Sequence, residues 1–86
     1  MTFPTIHLNG SGAESLRDGY IAAGEALNDA LRKLKETDPN GRDYYPQGDD
    51  AIRQASNEHC LRLNKLTHVI EEIQALAEHC DQFVKT

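Results

Sequence analysis

The sequence has little of what stabilises most small domains. It contains no tryptophan, one methionine and two cysteines, and aromatic residues make up 6% of its 86 residues. A chain of this length buries a modest fraction of its surface, so its fold is marginal unless disulfides, metals or partners support it. We therefore expect one domain at most, and we expect it to gain stability by association.

The two cysteines do not predict an internal disulfide. Cys60 and Cys80 fall in one stretch without glycine or proline, and twenty residues of helix would separate them by roughly 30 Å. A disulfide needs Cα atoms within ~7 Å of each other. We expect reduced thiols in a cytosolic protein, with intermolecular bridges as the alternative.

Long hydrophobic runs and a basic charge are also missing from the sequence. Residues 1–10 have neither a basic nor an apolar signal region, and no apolar run approaches the ~20 residues of a membrane span. The net charge of −5 argues against binding nucleic acid through its phosphates. Acidic residues are spread evenly: residues 1–48 have five basic and seven acidic side chains, and residues 49–86 have four and seven.

What is present is the pattern of an all-α protein, an antiparallel helix–loop–helix hairpin with coiled-coil-like packing. The predicted elements are an extended N-terminal strap over residues 1–10 and a hairpin over 11–86, with helix 1 at about 12–37, a loop at 38–48 and helix 2 at about 49–85. Pro4 disfavours helix at Phe3, and Ser11 with Glu14 forms a predicted capping box. Asp49 suits the start of helix 2.

Both helices carry an apolar stripe at coiled-coil spacing. In helix 1 the stripe comprises Leu16, Tyr20, Ala23, Leu27, Ala30 and Leu34. In helix 2 it comprises Ile52, Ala55, His59, Leu63, Leu66, Ile70, Ile73, Ala77, Cys80 and Val84, with a second row of Val69, Leu76 and Phe83. Gly19 and Gly24 weaken helix 1 but would allow close approach of another backbone.

The two predicted helices differ in length. At 1.5 Å per residue, helix 2 would be ~54 Å long and helix 1 ~37 Å, so helix 1 cannot cover the apolar side of helix 2. Either the strap or a second subunit must cover the rest, and we expect a second subunit. The predicted homo-oligomer interface consists of Leu66, Val69, Ile70, Ile73, Leu76 and Phe83.

The predicted loop is longer than most helix–helix connections, and long loops are often functional. Cations, aromatic rings and the amides of a helix N-terminus can together hold an anionic, planar ligand such as a nucleotide. The candidate ligand-binding residues are Arg42, Tyr44, Tyr45, Arg53 and Lys35. The alternative is structural: the tyrosines pack the loop onto the helices, and Asp49 and Asp50 occupy the place of a phosphate.

Histidine and cysteine patterns do not predict a metal, a cofactor or catalysis. Glu58-His59-Cys60 recurs as Glu78-His79-Cys80, but the copies would lie ~30 Å apart. His68, Glu72 and His79 share one face, where a solvated surface is the ordinary interpretation and an intersubunit zinc site the alternative. His59 lies in the apolar stripe, as an interface histidine that could make assembly pH-sensitive. We expect a protein that is not an enzyme.

The chain resembles a family of small bacteriophage and prophage proteins. The resemblance rests on Thr5–Gly10, on the Ser11 and Glu14 cap, and on the Asn40–Gly48 segment, which reads NGRDYYPQG. It extends over nearly the whole chain and implies a cytoplasmic role in an infected bacterium. The resemblance implies no catalytic residues in this chain.

Three functions follow as expectations from that setting. The first is a sponge that sequesters a cyclic nucleotide or an ADP-ribose-type signal of bacterial immunity at the loop. The second is an inhibitor of a host defence protein, of the anti-CRISPR kind, which would present acidic faces made of Asp18, Glu25 and Asp29 and of Glu71, Glu72 and Glu78. The third is a phage structural or assembly accessory protein without a ligand.

Overall fold

The computed structural model describes residues 1–6 and 12–84 and confirms that the protein is all-α. Its elements are α1 (Ala13–Lys35), α2 (Gly41–Tyr44), a 3-10 helix (Tyr45–Gln47) and α3 (Asp49–Asp81). No strand occurs in the described ranges. Within them, no helix combines the length and the apolar character that a membrane crossing requires.

The two long helices pack against each other along their length. Arg17 in the first turns of α1 donates a hydrogen bond to Asp81 at the end of α3, with 2.9 Å between Nη1 and Oδ1. Beyond the other end of α1, Asp38 Oδ1 lies 2.9 Å from His59 Nε2 in α3. The start of α1 therefore lies beside the end of α3, and the two helices run in opposite directions.

Backbone and side-chain hydrogen bonds close the two ends of α1. Gly12 is the N-cap, and its carbonyl accepts from the amide of Leu16 at 3.0 Å. Ser11, on which the predicted box depends, lies outside the described residues. At the C-terminal end, the Thr37 hydroxyl donates to the Leu34 carbonyl at 2.6 Å, so the helix ends two residues before the predicted position.

The connector predicted as a loop over residues 38–48 is largely helical. Asn40 caps α2 because its side-chain oxygen accepts from the amide of Arg42 at 2.9 Å. The 3-10 helix follows directly and ends at Gly48, whose φ of +108° strongly favours glycine. Local capping and turn residues therefore shape this connector, and its length does not indicate an irregular loop.

The apolar stripe of α3 is positioned as predicted, whereas that of α1 is rotated. Every residue predicted for the α3 stripe is buried or half-buried. In α1, Ala23 and Ala30 are exposed, and Gly24 and Leu31 face α3 in their place. Burying Leu31 removes more apolar surface from water than burying Ala30, and Gly24 lies close to Ile73 of α3.

The interior is thin for a chain of this length. Among the described residues, those classed as buried are Ala13, Gly24, His59, Ile70 and Cys80. Cys80 is completely enclosed, while Cys60 is exposed, and both thiols are free. The molecule measures 61 × 21 × 17 Å and has a radius of gyration of 18.8 Å. A compact domain of this length would have a radius of about 12 Å, so the chain is rod-shaped.

Candidate binding surfaces

A groove runs between α1 and α3 near the open end of the rod, on one side of the helix pair. Its volume is about 590 Å³. Tyr20, Ile21 and Gly24 line it from α1, and Ile73 and Ala77 from α3. A Cβ at Gly24 would lie 3.7 Å from Ile73 Cγ2, so this position is close to, but not in conflict with, the opposite helix. The apolar lining of the groove thus comes from both helices.

Polar side chains edge this groove and fix its outer end. Arg17 Nη1 donates to Asp81 at 2.9 Å, and its Nη2 lies 3.1 Å from Asp18 Oδ1. These hydrogen bonds, first to Asp81 and then to Asp18, raise the pKa of the Arg17 guanidinium above its ordinary value. Asn28 donates its amide hydrogen to the Gly24 carbonyl at 3.0 Å. Glu25 and Glu78 are exposed and line opposite sides of the groove.

Charge is segregated along the rod, although it is even along the sequence. The antiparallel pairing brings residues 12–28 beside residues 69–84, and we call these two segments the acidic half. They contain seven acidic side chains and one basic side chain, Arg17. Residues 29–68 contain seven of each sign. The even distribution found in the sequence is therefore not the distribution in space, and the groove lies in the acidic half.

A second apolar surface lies on the other flank of α3. At 3.6 residues per turn, Val69, Leu76 and Phe83 lie on the side of the helix away from the groove-lining Gln74 and Glu78. Val69 is 44% exposed and Phe83 is 49% exposed, and Leu76 is half-buried. We call these three residues the apolar row. On the neighbouring flank of α1, the row is continued by Leu16, Ala23, Leu27 and Ala30.

Of the six predicted interface residues, Val69 and Phe83 are exposed in the single chain. Ile70 is 5% exposed because this chain's own packing buries it. It therefore lacks the exposed surface that contact with a second subunit requires. Ile73 is half-buried, lines the groove and lies close to Gly24 of α1, so it belongs to the contact between the two helices. Leu66 is half-buried.

The N-terminal segment packs against the end of α3 and gives His79 a role that the sequence did not suggest. The Phe3 ring stacks on the His79 ring with 4.8 Å between centroids, and Phe83 meets His79 edge-on at 5.2 Å. His79 Nε2 donates to the Pro4 carbonyl at 2.9 Å. The interpretation of His79 as part of a solvated face is therefore wrong, because it lies between two aromatic rings that are far apart in the sequence.

His59 is buried in the α3 stripe, with its two ring nitrogens in different surroundings. Arg62 Nη1 lies 3.4 Å from Nδ1, and since a guanidinium can donate but not accept, Nδ1 is the acceptor. The ring hydrogen is then on Nε2. This atom lies 2.9 Å from Asp38 Oδ1, yet the contact does not have hydrogen-bond geometry and Nε2 remains without a hydrogen bond in the described structure.

Replacing His59 with leucine should therefore stabilise the protein. A buried polar atom without a hydrogen bond costs about 1–3 kcal/mol, and leucine extends the apolar stripe. We expect His59→Leu to raise the free energy of unfolding by about 1 kcal/mol, as measured by urea denaturation. His59→Gln keeps a buried polar group and should not share the gain. A loss of stability in His59→Leu would show that the contact with Asp38 is a net stabilising ion pair.

The residues predicted to bind a nucleotide do not line a common cavity. Tyr44 is half-buried, while Arg42 and Lys35 are exposed and Tyr45 is 79% exposed. Arg53 pairs with Asp50 at 3.4 Å across one turn of α3. None of the five lines the groove or a smaller depression of about 250 Å³ formed by Glu58, Leu61, Arg62 and Lys65.

The residues considered for a metal are not brought together. His68 Nδ1 lies 3.6 Å from Glu71, and His79 faces Phe3 and Pro4. In residues 1–6 and 12–84, no three His, Cys, Asp or Glu side chains are placed to hold an ion.

Comparison with protein-family models, with curated proteins and with solved structures gave no match to this chain.

Proposed function

We propose that this chain is a non-enzymatic binding protein that works as a homo-oligomer through its apolar row. The observation that carries the proposal is the surface left uncovered by the single chain. Its accessible surface is 6603 Å², whereas a compact monomer of 9.6 kDa exposes about 5,100 Å². The excess is about 1,500 Å² per copy.

An excess of this size matches what stable association removes. Obligate dimers bury about 1,000–2,500 Å² on each partner, mostly apolar. The apolar row with Leu16, Ala23 and Leu27 supplies a continuous apolar surface from both helices. Two such helix pairs facing each other would form a four-helix bundle, the arrangement in which short antiparallel helices share a core.

The same geometry favours binding over catalysis. A cysteine nucleophile needs a histidine within hydrogen-bond distance. Cys60 is exposed on α3, while the neighbouring His59 is buried with its ring toward Asp38. The groove itself is lined by apolar side chains, by the Arg17–Asp81 ion pair and by the exposed Glu25 and Glu78 on opposite sides, an arrangement that suits contact with another molecule.

Light scattering coupled to size-exclusion chromatography tests the proposal. The purified chain should elute with a mass that is an integral multiple of 9.6 kDa, and its melting temperature should rise with protein concentration. A chain that stays monomeric and stably folded at high concentration would refute it. Such a result would mean that the few buried residues are enough to keep the monomer folded and that the apolar row has another use.

A second candidate function is sequestration of a nucleotide-derived signal at the connector. The observation in its favour is that Tyr45 presents an aromatic face to solvent on the same short segment as the exposed Arg42. In an oligomer, connectors of neighbouring copies would have to enclose the ligand, since a single copy does not.

A panel of cyclic nucleotides and ADP-ribose derivatives tests this second function. Ligand in large excess should raise the melting temperature of the wild type by several degrees. The double variant Arg42→Ala and Tyr45→Ala should lose this response and keep its helical circular dichroism. If the wild type does not respond to any member of the panel, the connector is structural.

A further inference from the structure

The groove between α1 and α3 is concave, partly apolar and acidic, and no other segment of the described chain fills it. We propose that it binds a basic, amphipathic helix of a partner protein. This inference goes beyond self-association, because the groove and the apolar row lie on opposite flanks of α3.

The floor and walls of the groove suit an apolar face of a helix. Ile21 is 44% exposed although it lies at the edge of a concave surface, and Ile73 and Ala77 are half-buried beneath it. Gly24 is buried and contributes no side chain, and Ile73 lies close to it from α3, so the bottom of the groove is the junction of the two helices. An apolar groove between two helices is a common docking site for the apolar face of a third.

The sides of the groove suit positive charge. Glu25 on α1 and Glu78 on α3 are exposed, and neither forms an ion pair within the described part of the chain. Arg17, the one basic side chain within residues 12–28 and 69–84, is already bound to Asp81 and Asp18. A helix with lysine or arginine on both sides of its apolar face would place cations against both free carboxylates.

Charge also distinguishes this occupant from a second copy of the chain. In a two-fold dimer the same patch meets itself, so a homotypic contact at the groove would place the Glu25 and Glu78 carboxylates on its two sides against those of the second copy. Like charges at an interface oppose association, and neither carboxylate belongs to the apolar row, which lies on the opposite flank of α3. The same charge excludes nucleic acid. The acidic groove attracts a basic partner, whereas it repels both a second copy of the chain and nucleic acid.

The test uses two fluorescently labelled peptides and the full-length chain. The first is a helical peptide with leucines along one face and lysines on the others, and the second has glutamate at every lysine position. The basic peptide should bind, as measured by fluorescence anisotropy, and its affinity should fall as salt is added. The acidic peptide should not bind.

Paired variants locate the site. Glu25→Gln with Glu78→Gln should weaken binding of the basic peptide about fivefold, whereas Glu36→Gln with Glu58→Gln makes the same change in charge outside the acidic half and should have little effect. Ile21→Asn should weaken binding at least as strongly, while Leu61→Asn alters an apolar residue that is 61% exposed and lies away from the groove.

Three results would overturn the proposal. Equal binding of the acidic peptide would show that the contact is non-specific and apolar. Equal losses in the test and control variants would place the peptide elsewhere. A change in oligomer mass on Ile21→Asn, seen by light scattering, would show that a second copy of the chain occupies the groove. Because the mass is measured in the same samples, failure of this proposal and failure of self-association are distinguishable.

Discussion

Val69→Asp should raise the dissociation constant of the self-associated protein about a hundredfold or more. Val69 is the first residue of the apolar row and is 44% exposed in the single chain. A carboxylate placed there can stay hydrated in the monomer but loses its water in the oligomer without gaining a partner, which costs several kcal/mol. Each 1.4 kcal/mol is a factor of ten in affinity. Analytical ultracentrifugation over a series of concentrations measures this shift.

Leu61→Asp is the matched control for that variant. Leu61 is more exposed than Val69, at 61%, and lies on the same helix but outside the apolar row and the groove. Both variants replace an aliphatic side chain with a carboxylate, so Leu61→Asp and Val69→Asp change net charge equally and helix propensity by similar amounts. Dissociation in both variants, or in neither, would mean that the apolar row is not the interface.

Ile70→Ala should produce the largest loss of stability of any single truncation in α3. Ile70 is 5% exposed and lies at the contact between α3 and α1. Removing three buried carbon atoms from an aliphatic side chain costs about 2–5 kcal/mol, through lost burial and the cavity that remains. In a protein with so few buried residues, this is a large part of the total stability. Urea denaturation at one fixed protein concentration gives the difference.

Val69→Ala provides the comparison, because it truncates the adjacent residue. In the single chain its side chain is partly hydrated, so its effect on folding should be below about 1 kcal/mol and should appear mainly as weaker association. If Val69→Ala and Ile70→Ala had their effects reversed, α3 would be rotated by about one residue relative to α1, and the assignment of both surfaces would be wrong.

Most of the helical architecture could be predicted from the sequence. The stretch from Asp49 onward has no glycine or proline, and its apolar residues recur at helical spacing, so a long second helix was the expected outcome. The α3 stripe was identified correctly because ten positions agree on one period. The α1 stripe was assigned less well, since Ala23 and Ala30 carry little apolar area and do not discriminate between neighbouring rotations of a helix.

The candidate binding surfaces could be predicted only in part. The apolar row was recognised from its spacing on α3, but the groove was not, because its floor is Gly24, a residue that the sequence marks only as a possible close approach. The composition of the connector predicts a ligand site, yet its cations and aromatic rings do not line a common cavity. His79 was misjudged because Phe3, its stacking partner, lies at the opposite end of the chain.

By itself, the sequence determined the class of fold, the residue at which the long helix begins and the apolar stripe along that helix. These follow from local periodicity and from length, which are properties of neighbouring residues. The tertiary structure alone decided where charge accumulates and where the groove opens. Pairing the first helix antiparallel with the end of the third brings acidic residues that are some fifty positions apart to one end of the rod, and no local pattern records which residues a chain reversal will make neighbours.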